Sequence, residues 1–124
     1  GMTGGNDPDC RRGMLWKEEL QDKKVFSYYK KLLALRKSEP CIVEGKQKFL
    51  LTDDENGLLI EERSLCGCGV ADRRVVIIYH NGNKVVEVPE YAGKYDLLGK
   101  EMFDGKVKGY EIKVLLMEGD KIGE

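Results

Sequence analysis

Lys46-Gln47-Lys48-Phe49-Leu50-Leu51-Thr52 and Leu58-Leu59-Ile60-Glu61-Glu62-Arg63-Ser64-Leu65 flank the acidic run Asp53-Asp54-Glu55-Asn56-Gly57. Two short segments of strand length, joined by a polar loop that contains Asn-Gly, predict a β-hairpin, because Asn and Gly tolerate the positive φ that tight hairpin turns require. The same punctuation continues toward the carboxy terminus. Arg74 to His80 and Lys84 to Val88 lie on either side of Asn81-Gly82-Asn83, which predicts a second hairpin. Tyr95 to Leu98 precedes Gly99, Phe103-Asp104-Gly105 marks a further turn, and Lys106 to Met117 closes the series, its last strand starting at Tyr110. Short runs between turn signals are the pattern of an all-β sandwich of about six to eight strands. Val85, Val86 and Val88, with Val75, Ile77 and Tyr79, are the expected sheet core.

Upstream of the hairpin the periodicity changes. From Val25 the apolar positions 25, 28, 29, 32, 33 and 35 recur at helical spacing, Asp22 stands where an N-cap belongs, and Arg36 and Lys37 suit the negative end of the helix dipole. Tyr28 and Tyr29 follow that core periodicity. Pro40 pushes Glu39 out of the α region, so the helix is expected to stop there. Still further upstream, Gly4-Gly5-Asn6-Asp7-Pro8-Asp9-Cys10-Arg11-Arg12-Gly13-Met14-Leu15-Trp16 has neither period and reads as a loop dense in charge and hydrogen-bonding groups, the kind of segment in which binding is usually done.

Bulk properties restrict the function. The chain has 124 residues, enough for one domain with an appended helical segment, whereas a (β/α)₈ barrel needs roughly 200 or more. Charged residues make up 35% yet cancel to a net charge of −1, which gives no field to attract nucleic acid or an anionic membrane. The longest apolar runs, Val75 to Tyr79 and Val114 to Met117, are far short of the ~20 residues a bilayer helix needs. The expectation is therefore no nucleic acid, no membrane and a cytoplasmic location, since four cysteines with no visible secretory signal fit a reducing interior or an anaerobic cell.

The loop from Gly4 to Trp16 closely resembles the loop after the eighth barrel strand of neopullulanase, cyclomaltodextrinase and maltogenic amylase, in the α-amylase superfamily (glycoside hydrolase family 13). The resemblance continues through the helix Val25 to Lys37 and the Glu39-Pro40 after it, which look like that family's last barrel helix and its exit, and passes into a β-rich tail similar to the family's carboxy-terminal domain. It implies a mostly-β fold, an antiparallel Greek-key β-sandwich preceded by a loop and one α-helix left over from a barrel. Residues 1–40 would be the loop and final helix of a truncated catalytic barrel, and residues 41–124 the sandwich. The family's nucleophile, acid/base Glu and stabilising Asp lie on barrel strands upstream of anything in this chain, so the resemblance implies no hydrolytic machinery here and no catalytic residues. It places Asp7 and Arg11 at family positions that contact glucose units, a role reserved for an intact parent.

The residues themselves leave two readings of that pair open. A carboxylate accepts from two hydroxyls and a guanidinium donates in a fixed fork, which suits a sugar. Equally, the two can form a local salt bridge that shapes the loop, with Arg12 a structural partner for a nearby acid. Asp7 and Asp9 are too close in sequence to face each other across a glycosidic bond. Cys10, Cys41, Cys66 and Cys68 lack the paired C-x₂₋₄-C spacing of a zinc knuckle, so free thiols and no metal are expected, and no cofactor. His80, the lone histidine, reads as a surface or turn residue. Ser27, Ser38 and Ser64 have no nucleophile-elbow context, and the glycines form no phosphate loop. Trp16, Tyr91 and Tyr95 are the candidates for stacking on pyranose rings, although Trp16 is also placed to pack on the helix.

Three functions are compatible with this pattern. The first is a non-catalytic, stabilising accessory domain of an α-glucan-cleaving glycoside hydrolase whose partner is the absent barrel. The second is a free-standing module that binds α-glucan. The third is a protein-interaction domain, in which the apolar side of Val25 to Leu35 finds cover through a partner or a homodimer.

Overall fold

A computed structural model describes residues 2–67 and 70–117. They divide into two compact units, one ending at Ala34 and one beginning at Leu35.

The amino-terminal unit is an irregular segment followed by most of helix α1 (Lys23–Ser38). The helix starts where the sequence places its cap: Asp22 Oδ1 accepts from the backbone N–H of Lys24 at 3.0 Å and of Val25 at 3.1 Å, satisfying two otherwise orphaned donors. Those N–H donors, Val25's first, hold the Asp22 carboxyl below its ordinary range. The apolar stripe is present but bare: Phe26 is 60% and Tyr29 63% exposed, and no residue of α1 is buried. Tyr28, 42% exposed, and Tyr29 are thus not core residues.

After the last turn of α1, the carboxy-terminal unit holds a helix the sequence reading does not contain, α2 (Pro40–Glu44). Pro40 ends α1 as expected, with Glu39 extended at φ −112°, ψ 94°, but it also occupies the first turn of α2, where a missing N–H costs nothing and the fixed φ is already helical. Eight strands follow among the described residues: β1 (Lys46–Asp53), β2 (Leu58–Gly67), β3 (Val70–His80), β4 (Val86–Glu87), β5 (Tyr95–Asp96), β6 (Glu101–Met102), β7 (Lys106–Val107) and β8 (Ile112–Leu116). They form a six-stranded sheet in the order β1-β2-β3-β8-β5-β6 and a two-stranded sheet β4-β7, with every pairing antiparallel. The fold is mostly β with one main helix.

The first hairpin forms as read. Lys46 pairs with Ser64 at one end and Asp53 with Leu58 at the other, and the turn is held by Asp53, which accepts from the Asn56 N–H and side-chain amide. Gly57 sits at φ +64°, where a Cβ would fall 2.8 Å from the Asn81 carbonyl, so glycine is required twice over. The second hairpin does not form. β3 pairs with β2 and β8, whereas among the described residues β4 pairs only with β7, so Asn81-Gly82-Asn83 carries the chain from one sheet to the other. The final strand likewise begins at Ile112, because Tyr110 lies in a turn at φ 59°.

Alternation along β3 separates two cores. Val76 and Ile78 join Leu58, Ile60, Val88, Phe103, Val107 and Leu115 between the two sheets. Val75 and Ile77 face the other way, into a cluster with Cys41 and Val114 against which Leu35, Ile42 and Tyr79 pack. The expected single core is therefore corrected: Val75, Ile77 and Tyr79 lie on the opposite face from Val86 and Val88, and Val85 is 59% exposed. Because both faces of β3 are covered, its apolar run is unbroken rather than alternating.

Candidate functional site

The loop of the amino-terminal unit brings Asp7 and Arg11 together. Hydrogen bonds from Cys10 N–H to the Asn6 carbonyl (3.3 Å) and from Arg11 N–H to the Pro8 carbonyl (2.9 Å) wind the segment into successive turns, with a cis Asp7–Pro8 peptide. That winding places Arg11 Nε 2.9 Å from Asp7 Oδ1 and a terminal guanidinium nitrogen 3.4 Å from Oδ2, while Cys10 Sγ lies 3.5 Å from Oδ1. Both side chains remain largely in solvent, so the pair contributes under ~1 kcal/mol and can exchange its mutual bonds for bonds to an incoming polar group. Arg12 pairs with no acid among the described residues; its Nε donates to the Asp9 carbonyl at 3.0 Å. Trp16 does not pack on the helix but stands 82% exposed. The same unit holds an apolar recess of about 450 Å³ lined by Met14, Leu15, Val25, Phe26 and Tyr29, beside which Gln21 Nε2 donates to the Leu15 carbonyl at 2.7 Å.

The carboxy-terminal unit contains the ionisable groups that sequence reasoning missed. Glu39 is 2% exposed, accepts from the Cys41 N–H, and receives Arg73 Nε at 2.7 and 2.8 Å on its two oxygens and a terminal guanidinium nitrogen at 2.7 Å. This fork holds the Arg73 guanidinium above its ordinary value. The Cys41 thiol is buried and lies 2.9 Å from the Arg63 carbonyl and 3.2 Å from that of Arg73, joining α2 to β2 and β3. Burial first, and the neighbouring Glu39 charge second, push the thiol up, so it is a poor nucleophile.

Glu61, 2% exposed, accepts from the Gln47 amide, from the Tyr79 hydroxyl at 3.0 Å and from Arg63 Nε at 3.4 Å. Burial and that bond to a carboxylate push the Tyr79 phenol up to about 12. Asp96, 1% exposed, accepts from the N–H groups of Leu98 (3.0 Å) and Val114 (3.2 Å), with Lys113 Nζ at 3.6 Å. His80 is not a surface residue: it is 4% exposed, its Nδ1 lies 2.8 Å from the Lys108 carbonyl, and its Nε2 has no partner among the described residues. Each of these three buried carboxylates is engaged by donors from other elements, which ties loops and strands together.

Among the described residues no group of three His, Cys, Asp or Glu could hold a metal ion; Cys68 lies outside them. No helix is long and apolar enough to cross a membrane. Tyr91 packs on the inter-sheet core, and Tyr95 is 40% exposed.

No protein-family model matches the chain. Over most of its length, however, it is homologous to the neopullulanase-like glycoside hydrolases of the α-amylase superfamily, consistent with a partial carboxy-terminal region of such an enzyme. It is 38% identical over 89 residues to the cyclomaltodextrinase of Geobacillus thermopakistaniensis strain MAS1, covering 72% of this chain and 14% of the relative. Neopullulanase 2 of Thermoactinomyces vulgaris is 35% identical over 112 residues, 86% of this chain and 18% of the relative. The intracellular maltogenic amylase of Bacillus subtilis strain 168 is 35% identical over 88 residues, 70% of this chain and 14% of the relative. The chain thus spans 14–18% of the length of these curated relatives. The crystal structure of the maltogenic amylase from S. marinus has the same fold, with a TM-score of 0.72 at 24% identity over 94% of this chain and 16% of that one.

Proposed function

We propose that this chain is a non-catalytic accessory region of an α-glucan-cleaving glycoside hydrolase, with residues 1–40 belonging to the end of a catalytic barrel and residues 41–124 forming the carboxy-terminal sandwich. The observation that carries this reading is the homology to a cyclomaltodextrinase, a neopullulanase and a maltogenic amylase over 70–86% of the chain. The buried carboxylates give it physical support, since Glu39, Glu61 and Asp96 are all engaged by donors and none is free to protonate a leaving group or attack a sugar carbon. The bare apolar side of α1, with Phe26 and Tyr29 exposed, is the surface a barrel would cover. In that assembled enzyme Asp7 and Arg11 turn from each other to hydroxyls of a glucose unit. The exposed position of the pair supports this, because exchanging it for sugar contacts costs little. The unpaired thiols of Cys10, Cys41 and Cys66, and a relative described as intracellular, support a cytoplasmic setting.

The test is activity and binding on the purified chain. Incubation with cyclodextrin and with maltotriose is expected to release no reducing sugar, and hydrolysis that persists through purification to constant specific activity refutes the reading. Trp16, at 82% exposure, favours a second function as a glucan-binding surface. Retarded elution from immobilised starch, abolished by Trp16→Ala, would establish it.

A further inference from the structure

We propose that β1 is a homodimer interface: its outer edge pairs antiparallel with the same edge of a second copy, about a two-fold axis perpendicular to the sheet, with Lys46 of each copy opposite Asp53 of the other. β1 ends the six-stranded sheet, with β2 its only neighbour among the described residues. Every residue from Lys46 to Thr52 is exposed, including Phe49 (59%), Leu50 (41%) and Leu51 (42%), so an apolar centre accompanies a row of unpaired backbone groups.

What covers that edge is indicated by its charge. Lys46 and Lys48 stand at one end, Asp53 and then Asp54 and Glu55 at the other. A parallel partner copy would oppose lysine to lysine and aspartate to aspartate, whereas an antiparallel one opposes unlike charges at both ends. Side-chain direction agrees. Lys46 and Lys48 lie across from Ser64 and Glu62, and Leu51 and Asp53 from Ile60 and Leu58. Those four β2 residues alternate and share one face, so Lys46, Lys48, Leu51 and Asp53 share it too. In an unbroken strand, residues seven apart would point to opposite faces. The irregularity between Phe49 and Leu51 inserts Leu50 and brings Asp53 onto the face of Lys46. In the paired edges each Lys46 meets Asp53 of the other copy, each Lys48 stem lies over Leu51, and Gln47 meets Thr52 on the opposite face. The assembly closes at two copies, because the far edge of the sheet is β6, only Glu101–Met102, and is not self-similar to β1.

Sedimentation equilibrium of the full chain over a range of concentrations, at low and high salt, tests this. A reversible dimer that weakens with salt is expected. Lys46→Asp should raise its dissociation constant by about tenfold or more, because it turns two attractive cross-strand pairs into two repulsive ones. Asp53→Lys should do the same, and the two variants mixed should pair with each other while neither pairs with itself. Asp53 also holds the hairpin turn, so Phe49→Asp, which leaves the turn untouched, is the arm that keeps the test decisive should Asp53→Lys not fold. A chain that is monomeric at every concentration overturns the proposal. So does a dimer indifferent to Lys46→Asp and Phe49→Asp, or one dissociated by Phe26→Asp on α1 alone.

Discussion

Replacing Arg73 by Met removes the guanidinium from a carboxylate that has almost no access to water. Glu39's side chain is 3% exposed and Arg73's 41%, and three N–O contacts of 2.7–2.8 Å join them. Breaking a fully buried pair costs about 3–5 kcal/mol, and an exposed pair contributes about 0–1 kcal/mol. With one partner buried and the other partly solvated, the expected loss is about 2 kcal/mol. Glu39→Gln keeps a side-chain oxygen for the Cys41 N–H and so preserves the cap of α2 while removing the charge. A double-mutant cycle of Arg73→Met and Glu39→Gln, read by urea unfolding of the full chain, should therefore give a coupling of about 1–2 kcal/mol. A coupling below ~0.5 kcal/mol would refute the view that this ion pair holds α2 against the sheet. So would Arg73→Met alone having no effect on the midpoint.

Titration of the tyrosine absorbance should show one phenol with a midpoint near 12, lost in Tyr79→Phe. Because its folded value lies above the ordinary 10.0, the associated stability is present below pH 10 and is lost as pH rises through about 12, so Tyr79→Phe should flatten alkaline unfolding in that window. The lowered Asp22 carboxyl has the opposite sign: its contribution is present above 3.8 and is lost as the pH falls below that, so Asp22→Ala should reduce helical ellipticity at pH 7 and remove the acid-dependent part. Ile78→Ala, at a position with no exposure in the inter-sheet core, should cost about 2–5 kcal/mol, whereas Val85→Ala, 59% exposed, should stay within about 0.5 kcal/mol by chemical denaturation.

Local signals were legible in the sequence where they concern neighbouring residues. Asp22 as a cap, the Asp53 to Gly57 turn and the strands beside it depend on contacts within a few positions, and each is found. Long-range pairing was not legible. Asn81-Gly82-Asn83 has the composition of a hairpin turn, but on the side away from β2 the partner of β3 is β8, more than thirty positions on, and no local pattern announces that. The unbroken Val75 to Tyr79 run did carry a usable signal, since a strand apolar on both faces must be covered twice. Glu39-Pro40 likewise spelled both the end of one helix and the N-cap and first turn of the next. The buried acids Glu39, Glu61 and Asp96 gave no such warning, because their donors come from Arg73, Tyr79 and the Val114 backbone, remote in sequence. Asp7 and Arg11, four residues apart, were near enough for the pair between them to be foreseen.

Because β3 contributes Val76 and Ile78 to one apolar cluster and Val75 and Ile77 to the other, neither cluster can be opened without disturbing the strand they share. Subglobal opening in this unit is consequently limited to its periphery. Amide protons of Val75 to Ile78 should exchange with solvent deuterium at the slowest rates of the unit, set by its global unfolding, while those of the short edge strand β6 leave earlier through local fraying.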